Sequence, residues 1–400
     1  MGPERVWTGP GGCTGSAVWD EGYLGYDFGD HPMHPIRLDL TIRLARDLGV
    51  LDHVELRLPE PAEEAALLTA HTPEYLSALR SASEDPDYQG FGLGTPDDPV
   101  FAGMYQAAAL VAGGSMLAAR DVWTGRVAHS VNIAGGLHHS MPNAASGFCV
   151  INDSVTAIRW LLANGAARVA YVDIDAHHGD GVQAAFFDDP RVLTVSIHQH
   201  PSTLFPGTGR PHELGTGAAE GTSVNLALPP GVDDDGWLSA FAAVVPSVIG
   251  SFKPDVLFTQ CGCDTHHDDP LADLKLTIDA QRAAYRWLHR LAHEHAHGKW
   301  VAVGGGGYGV IRCVPRTWTH LIAEVSGSPL DPATEVPSSW LDHVRARGAP
   351  GALPLVMGEG RDPRPPSWQP GGETWLDRSV GATRHAVFPL IGLDPDDPRD

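Results

Sequence analysis

Between residues 127 and 323 the chain alternates short runs of apolar and β-branched residues with longer stretches of helical period. The short runs fall at 127–133, 168–175, 192–198, 223–228, 255–260 and 300–303. Apolar residues dominate these runs without a strict alternation, as expected of strands buried on both faces, and helices between successive strands let them run parallel. The longer stretches predict helices over 36–48, 73–83, 101–119, 153–164, 235–249, 278–295 and 314–324. The pattern therefore predicts an α/β domain, an open parallel sheet with helices on both faces. From about residue 327 the chain turns rich in Pro, Gly and Trp and loses its period. The expected organisation is a main domain over 18–326 and an extension over 327–400 that wraps it or is partly ordered.

In an open parallel sheet, ligands bind beyond the carboxyl ends of the strands. Five predicted strand ends carry Gly135-Gly136-Leu137-His138-His139, Asp173-Ile174-Asp175-Ala176-His177-His178, Ser196-Ile197-His198, Cys261-Gly262-Cys263-Asp264 and Gly304-Gly305-Gly306-Gly307-Tyr308. Acids, histidines and glycines converge there. Asp173, Asp175 and His177 alternate, so they share one face of an extended segment. Hard carboxylate oxygens with one imidazole suit a divalent cation, zinc or ferrous iron, with Asp264 as a third ligand and a position left for water. Acids at this place could instead cap the helix starting near Gly179, but capping does not require two acids and a histidine in alternation. Beside such a cation, His138 and His139 can serve as general base and acid, with Asp173 and Asp180 free to orient them.

Charge narrows the partners. The net charge is -22, from 27 Lys and Arg against 49 Asp and Glu, with no basic run, which disfavours nucleic acid and anionic membrane surfaces. Residues 104–119, the most apolar long stretch, include Gln106 and Ser115 and suit a buried helix better than a span. Residues 1–20 lack a basic segment followed by an apolar one, so no secretory signal is expected. Cys13, Cys149, Cys261, Cys263 and Cys313 are too few and odd in number for a disulfide framework, and the expected compartment is the cytoplasm.

The chain resembles the zinc-dependent histone deacetylase superfamily. The likeness is carried by residues 135–139 through Ser146-Gly147-Phe148-Cys149, by 173–181, and by Phe205-Pro206-Gly207-Thr208-Gly209. Gln260-Cys261-Gly262-Cys263-Asp264, residues 304–308 and the early His31-Pro32-Met33-His34-Pro35-Ile36-Arg37 follow the family's order. Trp19-Asp20-Glu21, Tyr26-Asp27-Phe28-Gly29 and the segment from Asp264 to Leu271 place it nearest the bacterial acetoin-utilisation deacetylases, which are class I-like.

The resemblance implies the arginase-like fold, a single eight-stranded parallel sheet, and hydrolysis of the acetyl amide of N6-acetyl-lysine in proteins. It implies Asp175, His177 and Asp264 as metal ligands, and His138 and His139 as the base and acid pair, oriented by Asp173 and Asp180. Tyr308 would donate to the substrate oxyanion. Gly147, Phe148, Phe205 and Leu271 would line the tube for the lysine stem, and Asp97 would hold the substrate backbone at the rim. One potassium ion would sit near Asp173, Asp175, His177, Ser196 and Ile197, and a second near Phe186, Asp189, Val192 and Thr222. Acetylated proteins, acyl-CoA synthetases among them, are the implied partners. His34 stands where the family often has Lys, and His266-His267 replace smaller or apolar residues near the rim; both bear on substrate preference.

Two other readings compete. Deacetylation of small molecules such as acetylpolyamines would favour an acid where Leu271 stands, and Asp180, where polyamine enzymes usually carry Asn, also argues against it. A binding scaffold without activity is disfavoured by the intact set of ligands, histidines and Tyr308. His293-Glu294-His295-Ala296-His297 matches H-E-x-x-H, but Gly298 ends the helix at once, and His289 with its Arg neighbours reads as a solvated face. Cys261 and Cys263 read as buried apolar thiols. The four glycines at 304–307 lack the Lys-Ser/Thr of a phosphate loop and are expected to permit close backbone approach.

Overall fold

The computed structural model describes residues 15–348 and 352–400. Cys13 and most of the segment read for a secretory signal lie outside these residues. Eight strands, β1 (Gly15–Val18), β2 (Glu55–Arg57), β3 (His129–Asn132), β4 (Val169–Asp173), β5 (Val192–Gln199), β6 (Ser223–Leu228), β7 (Val256–Gln260) and β8 (Trp300–Val303), form one sheet. Their order is β2-β1-β3-β8-β7-β4-β5-β6, and every neighbouring pair is parallel.

The helices are α1 (Ile36–Asp47), α2 (Glu64–Leu67), α3 (Pro73–Ala82), α4 (Met104–Trp123), α5 (Asp153–Ala163) and α6 (Asp180–Phe186). After these come α7 (Asp234–Phe252), α8 (Ile278–His295), α9 (Val314–Val325), α10 (Ser338–Ala346) and α11 (Trp375–Val387). They divide into two layers. One contains α4 with α3 and α5; in the other, α1, α9, α8, α7 and α11 pack in succession. The predicted fold class is therefore the observed one, and strands from β3 through β8 are buried at every position.

The differences have local causes. β1 and β2 were not among the predicted strands. β1 is Gly-Ser-Ala-Val, poor in β-formers, and holds its place through the buried Ser16–Ser130 hydroxyl contact of 2.8 Å. β2 is three residues long with Glu55 and Arg57 at its ends, a short charged edge of the kind that resists pairing with another chain. The helix predicted from residue 101 begins at Met104, after Gly103 in the left-handed region, and runs on to Trp123. By length and composition α7 could cross a membrane, yet half of it is buried within the protein, against α8, α11 and β5.

The segment beyond residue 327 carries regular structure: α10 packs on α1, and α11 on β6 and α7. Trp340 of α10 is fully buried with Leu40, Leu44, Leu341, Val344 and Met357, and its indole N–H donates to the Leu40 carbonyl at 2.9 Å. Arg384 of α11, sandwiched between Trp368 and Phe388, donates to the Ala243, Pro395 and Asp397 carbonyls. Trp340→Ala should lower unfolding free energy by about 3–5 kcal/mol, the range for a large aromatic removed from a core. A shift of less than 1 kcal/mol in denaturant melts would show that α10 is dispensable to the fold.

Candidate active site

The carboxyl ends of β3, β4, β7 and β8 meet in one place, and the buried acids there dictate the local backbone. Asp173 ends β4. Its Oδ1 accepts the Asp175 N–H, while Oδ2 accepts from Tyr171 Oη at 2.6 Å and from His138 Nδ1 at 2.7 Å. Asp175 Oδ2 accepts from Gln260 Nε2 at 2.7 Å and from the Gly306 N–H at 2.8 Å. Asp264 Oδ1 accepts the Ala176 N–H at 2.7 Å. A Cβ at Gly306 would lie 2.1 Å from Asp264 Oδ2, and one at Gly262 only 2.0 Å from Asp175 Oδ2. The expected close approach of the 304–307 backbone is thus what lets amides reach these carboxylates.

The remaining carboxylate oxygens converge on one imidazole. His177 Nδ1 lies 3.1 Å from Asp175 Oδ1 and 3.0 Å from Asp264 Oδ2, all three residues being buried. Burial opposes charge on His177, but hydrogen bonds to Asp175 and Asp264 outweigh it and push the imidazole up to about 10. Burial, then the Asp175 charge, raises Asp264 to about 8. Two buried carboxylates around one nitrogen make a site that draws in one positive charge, and a metal ion can take the proton's place. The donor set, one nitrogen and two carboxylate oxygens, fits a divalent transition metal.

Next to it stand the two histidines. His139 Nδ1 donates to Asp180 Oδ1 at 2.7 Å, and the Nε2 atoms of His138 and His139 are 3.0 Å apart. Burial lowers His139, helped by the neighbouring His138, whereas for His138 burial is outweighed by Asp173, which pushes it up to about 9. The pair thus shares one proton between two nitrogens whose surroundings pull in opposite directions.

A cleft of about 220 Å³ opens onto this group, lined by Asp97, His139, Gly147, Phe148, His177, Leu204, Phe205, Leu271 and Tyr308. All five residues predicted to bind substrate are therefore brought together, with His139, His177 and Tyr308 at its base. The Tyr308 phenol is raised well above its usual range by burial and then by Asp264 and Asp175, so it remains a proton donor. His138, Asp173 and Asp180 lie behind the lining.

The residues expected near potassium fall at two places. Asp173 and Ser196 are register partners on β4 and β5, beside Asp175 and His177. Near the start of β5 the Phe186, Asp189 and Thr222 carbonyls accept N–H groups of Asp189, Val192 and Thr194, respectively. His266, expected at the rim, is instead fully buried against Glu359 at 3.2 Å, and only His267 is partly exposed. Cys261 and Cys263 are buried free thiols, as expected.

Several residues were missed. Gln260 donates to Asp175, a bond between two residues 85 apart. Asp269 accepts the Tyr308 N–H through Oδ2 and the Leu271 N–H through Oδ1, fixing both. Tyr26 donates to the Phe148 carbonyl at 2.9 Å and accepts the Val150 N–H. It thereby pins a turn in which Gly147 and Phe148 both have positive φ, +54° and +70°, uncommon for a bulky residue. Leu204 completes the apolar lining. Gln260, Asp269 and Tyr26 stand within the motifs that carry the resemblance, but the roles of these three depend on partners distant in sequence, whereas Leu204 is an apolar residue beside Phe205 with nothing local to mark it.

Comparison with known proteins agrees with this geometry. Residues 31–325 match the family described as histone deacetylase domain. The chain is 41% identical over 354 residues to the acetoin utilization protein AcuC of Bacillus subtilis (strain 168), covering 87% of this chain and 91% of that protein. It is 34% identical over 333 residues to AcuC of Staphylococcus xylosus, covering 82% and 86%, respectively. The family match spans the converging strand ends and the relatives extend beyond it, so the chain belongs to the histone deacetylase family.

Proposed function

We propose that the chain hydrolyses the acetyl amide of N6-acetyl-lysine in proteins, releasing acetate and lysine. The observation that carries this reading is the cleft, an apolar passage lined by Phe148, Phe205, Leu204 and Leu271 that ends at His139, His177 and Tyr308. Acylated lysine is a long neutral stem tipped by a carbonyl and suits such walls, whereas a cationic stem would lose hydration there without a partner. Asp97 at the mouth is the group to accept backbone N–H donors from an extended peptide.

Asp175, His177 and Asp264 would hold a divalent cation, zinc or ferrous iron. When bound, such an ion supplies Lewis acidity toward the amide carbonyl and lowers the pKa of water. The chain's residues do the rest. The His138–His139 pair takes one proton from the attacking water and returns it to the departing amine, while Asp173 and Asp180 fix which ring nitrogens face the cleft. Tyr308 donates its hydroxyl to the carbonyl oxygen as negative charge develops there.

Potassium would occupy the two places described, at Asp173, Asp175, His177, Ser196 and Ile197, and at Phe186, Asp189, Val192 and Thr222. Four unbridged, buried cysteines among the described residues support a reducing compartment, the cytoplasm. Acetylated proteins are the proposed partners, acyl-CoA synthetases among them.

Asp264→Ala should abolish turnover of acetyl-lysine peptides and lower bound metal in elemental analysis; unchanged metal content would remove Asp264 from the ligand set. Leu271→Glu should shift the ratio of kcat/KM values toward acetylated polyamines, because a carboxylate in the tube attracts a distal ammonium. An unchanged ratio would mean that Leu271 does not meet the substrate stem. Tyr308→Phe keeps the ring but deletes the oxyanion donor, so kcat should fall by about 10²–10³ with KM changed much less. A drop below threefold in steady-state kinetics would take Tyr308 out of the mechanism.

A further inference from the structure

At the amino-terminal end of the sheet, on the far side from the cleft, three imidazoles point their Nε2 atoms at one another. His129 is the first residue of β3, paired in register with Gly15 of β1 and Trp300 of β8. His289 and His293 stand one turn apart on α8, on the face toward the sheet. His293 Nε2 lies 3.2 Å from His129 Nε2 and 3.1 Å from His289 Nε2. The H-E-x-x-H spacing plays no part, because His297 falls beyond the end of α8 with a φ of +55°. His293 instead meets a residue 164 positions away, and His289, partly buried beside its exposed Arg neighbours, turns its ring into this cluster.

The other ring nitrogens decide what the cluster can do. His289 Nδ1 donates to Glu324 Oε1 at 2.7 Å, and His129 Nδ1 donates to the Val325 carbonyl at 3.3 Å. Both acceptors belong to the last turn of α9. Neutral imidazoles that donate from Nδ1 carry lone pairs on Nε2. Two lone pairs therefore face His293 Nε2, which can offer at most one hydrogen. Without a further partner one Nε2 lone pair has no protein donor, so a solvent molecule or a metal ion must fill it. A metal ion satisfies all three.

The spacing agrees: nitrogens bound at about 2.0–2.1 Å in a tetrahedron are separated by about 3.3 Å. Carboxylate and carbonyl acceptors behind ligating histidines are the arrangement that fixes tautomer and ring orientation at metal centres. Trp300 stacks on His289 at 5.5 Å and 18° and closes one side. His129 is buried, His289 is partly buried and His293 is exposed, leaving an approach from solvent.

We propose that His129, His289 and His293 form a second transition-metal site, a three-histidine centre for zinc that fastens α8 to the amino-terminal edge of the sheet. Imidazole ligation selects zinc over magnesium or calcium, and solvent completes the coordination. The site holds no group placed for hydrolysis, so its role is structural and independent of the cleft.

The test is zinc content of the purified chain, equilibrated with zinc and freed of excess, compared with His293→Ala and the milder His293→Gln. Each variant should hold one zinc fewer per chain than the parent and keep turnover of an acetyl-lysine peptide within twofold. His295→Ala and His297→Ala should lose none. A parallel measurement uses Asp264→Ala, in which the cleft set is broken: zinc should still raise its melting temperature, and adding His293→Gln should abolish that rise. Equal zinc content in the parent and both His293 variants, or a zinc-induced rise that survives His293→Gln, would overturn the proposal. Either result reads the histidine cluster alone, so failure here is separable from failure of the deacetylase reading.

Discussion

The structure depends on burying carboxylates at the end of a parallel sheet. Asp153, Asp173, Asp175 and Asp264 are all within 1% of complete burial. An ionised carboxylate out of water is costly unless its oxygens are filled by donors. Side chains supply few of these: Tyr171, Gln260, Ser115 and the histidines. The backbone supplies the others, through the amides of Gly136, Leu137, Ala176 and Gly306. At Gly262 and Gly306 a Cβ would lie within about 2 Å of Asp175 or Asp264, so the glycines at these two positions follow from the acids. The acids in turn hold the histidines. Asp173 orients His138, and Asp175 with Asp264 hold His177, so one set of bonds serves both folding and chemistry.

Much of this was legible because parallel sheets announce themselves locally. Strands from β3 through β8 are buried at successive positions and most are rich in apolar residues, and their ends carry acids, histidines and glycines in short compass. The cleft lining was legible through the family's motifs, from Asp97 to Leu271. What escaped was held by long-range pairing. β1 and β2 have little strand character and exist because a neighbour covers their edge. Gln260, Asp269 and Tyr26 act on residues whose positions are set by other elements, and His129 gives no hint of meeting α8. Composition does not encode such contacts; topology does.

The tail shows how a segment without clear period can still be specified. Its anchors are single residues with many partners, not an amphipathic face. Arg384 draws carbonyls from α7 and from the last residues of the chain onto one guanidinium. Glu359 accepts the Ile278 N–H and bonds to His266 and Arg316, while Asp279 accepts the Glu359 and Arg361 N–H groups. Burial works against its charge, yet His266 and Arg316 hold the Glu359 carboxyl down at about 2.

These anchors reach the cleft through the segment between Asp264 and Leu271. His266 lies two residues from a proposed metal ligand and three from Asp269, whose carboxylate fixes the amides of both Tyr308 and Leu271. Tyr308 and Leu271, both in the cleft lining, therefore hang from a single buried acid, in a segment bonded to the tail through Glu359. Such precision cannot come from a loop alone, since loop backbones move unless their polar groups are engaged. By wrapping back to the start of α8, the extension supplies that engagement from outside the sheet. His266 fits this role better than a role in substrate preference: it is buried beneath the rim and spends its ring on Glu359 and on the Asp268 amide. His266 and Glu359, 93 residues apart, thus form one structural feature rather than two.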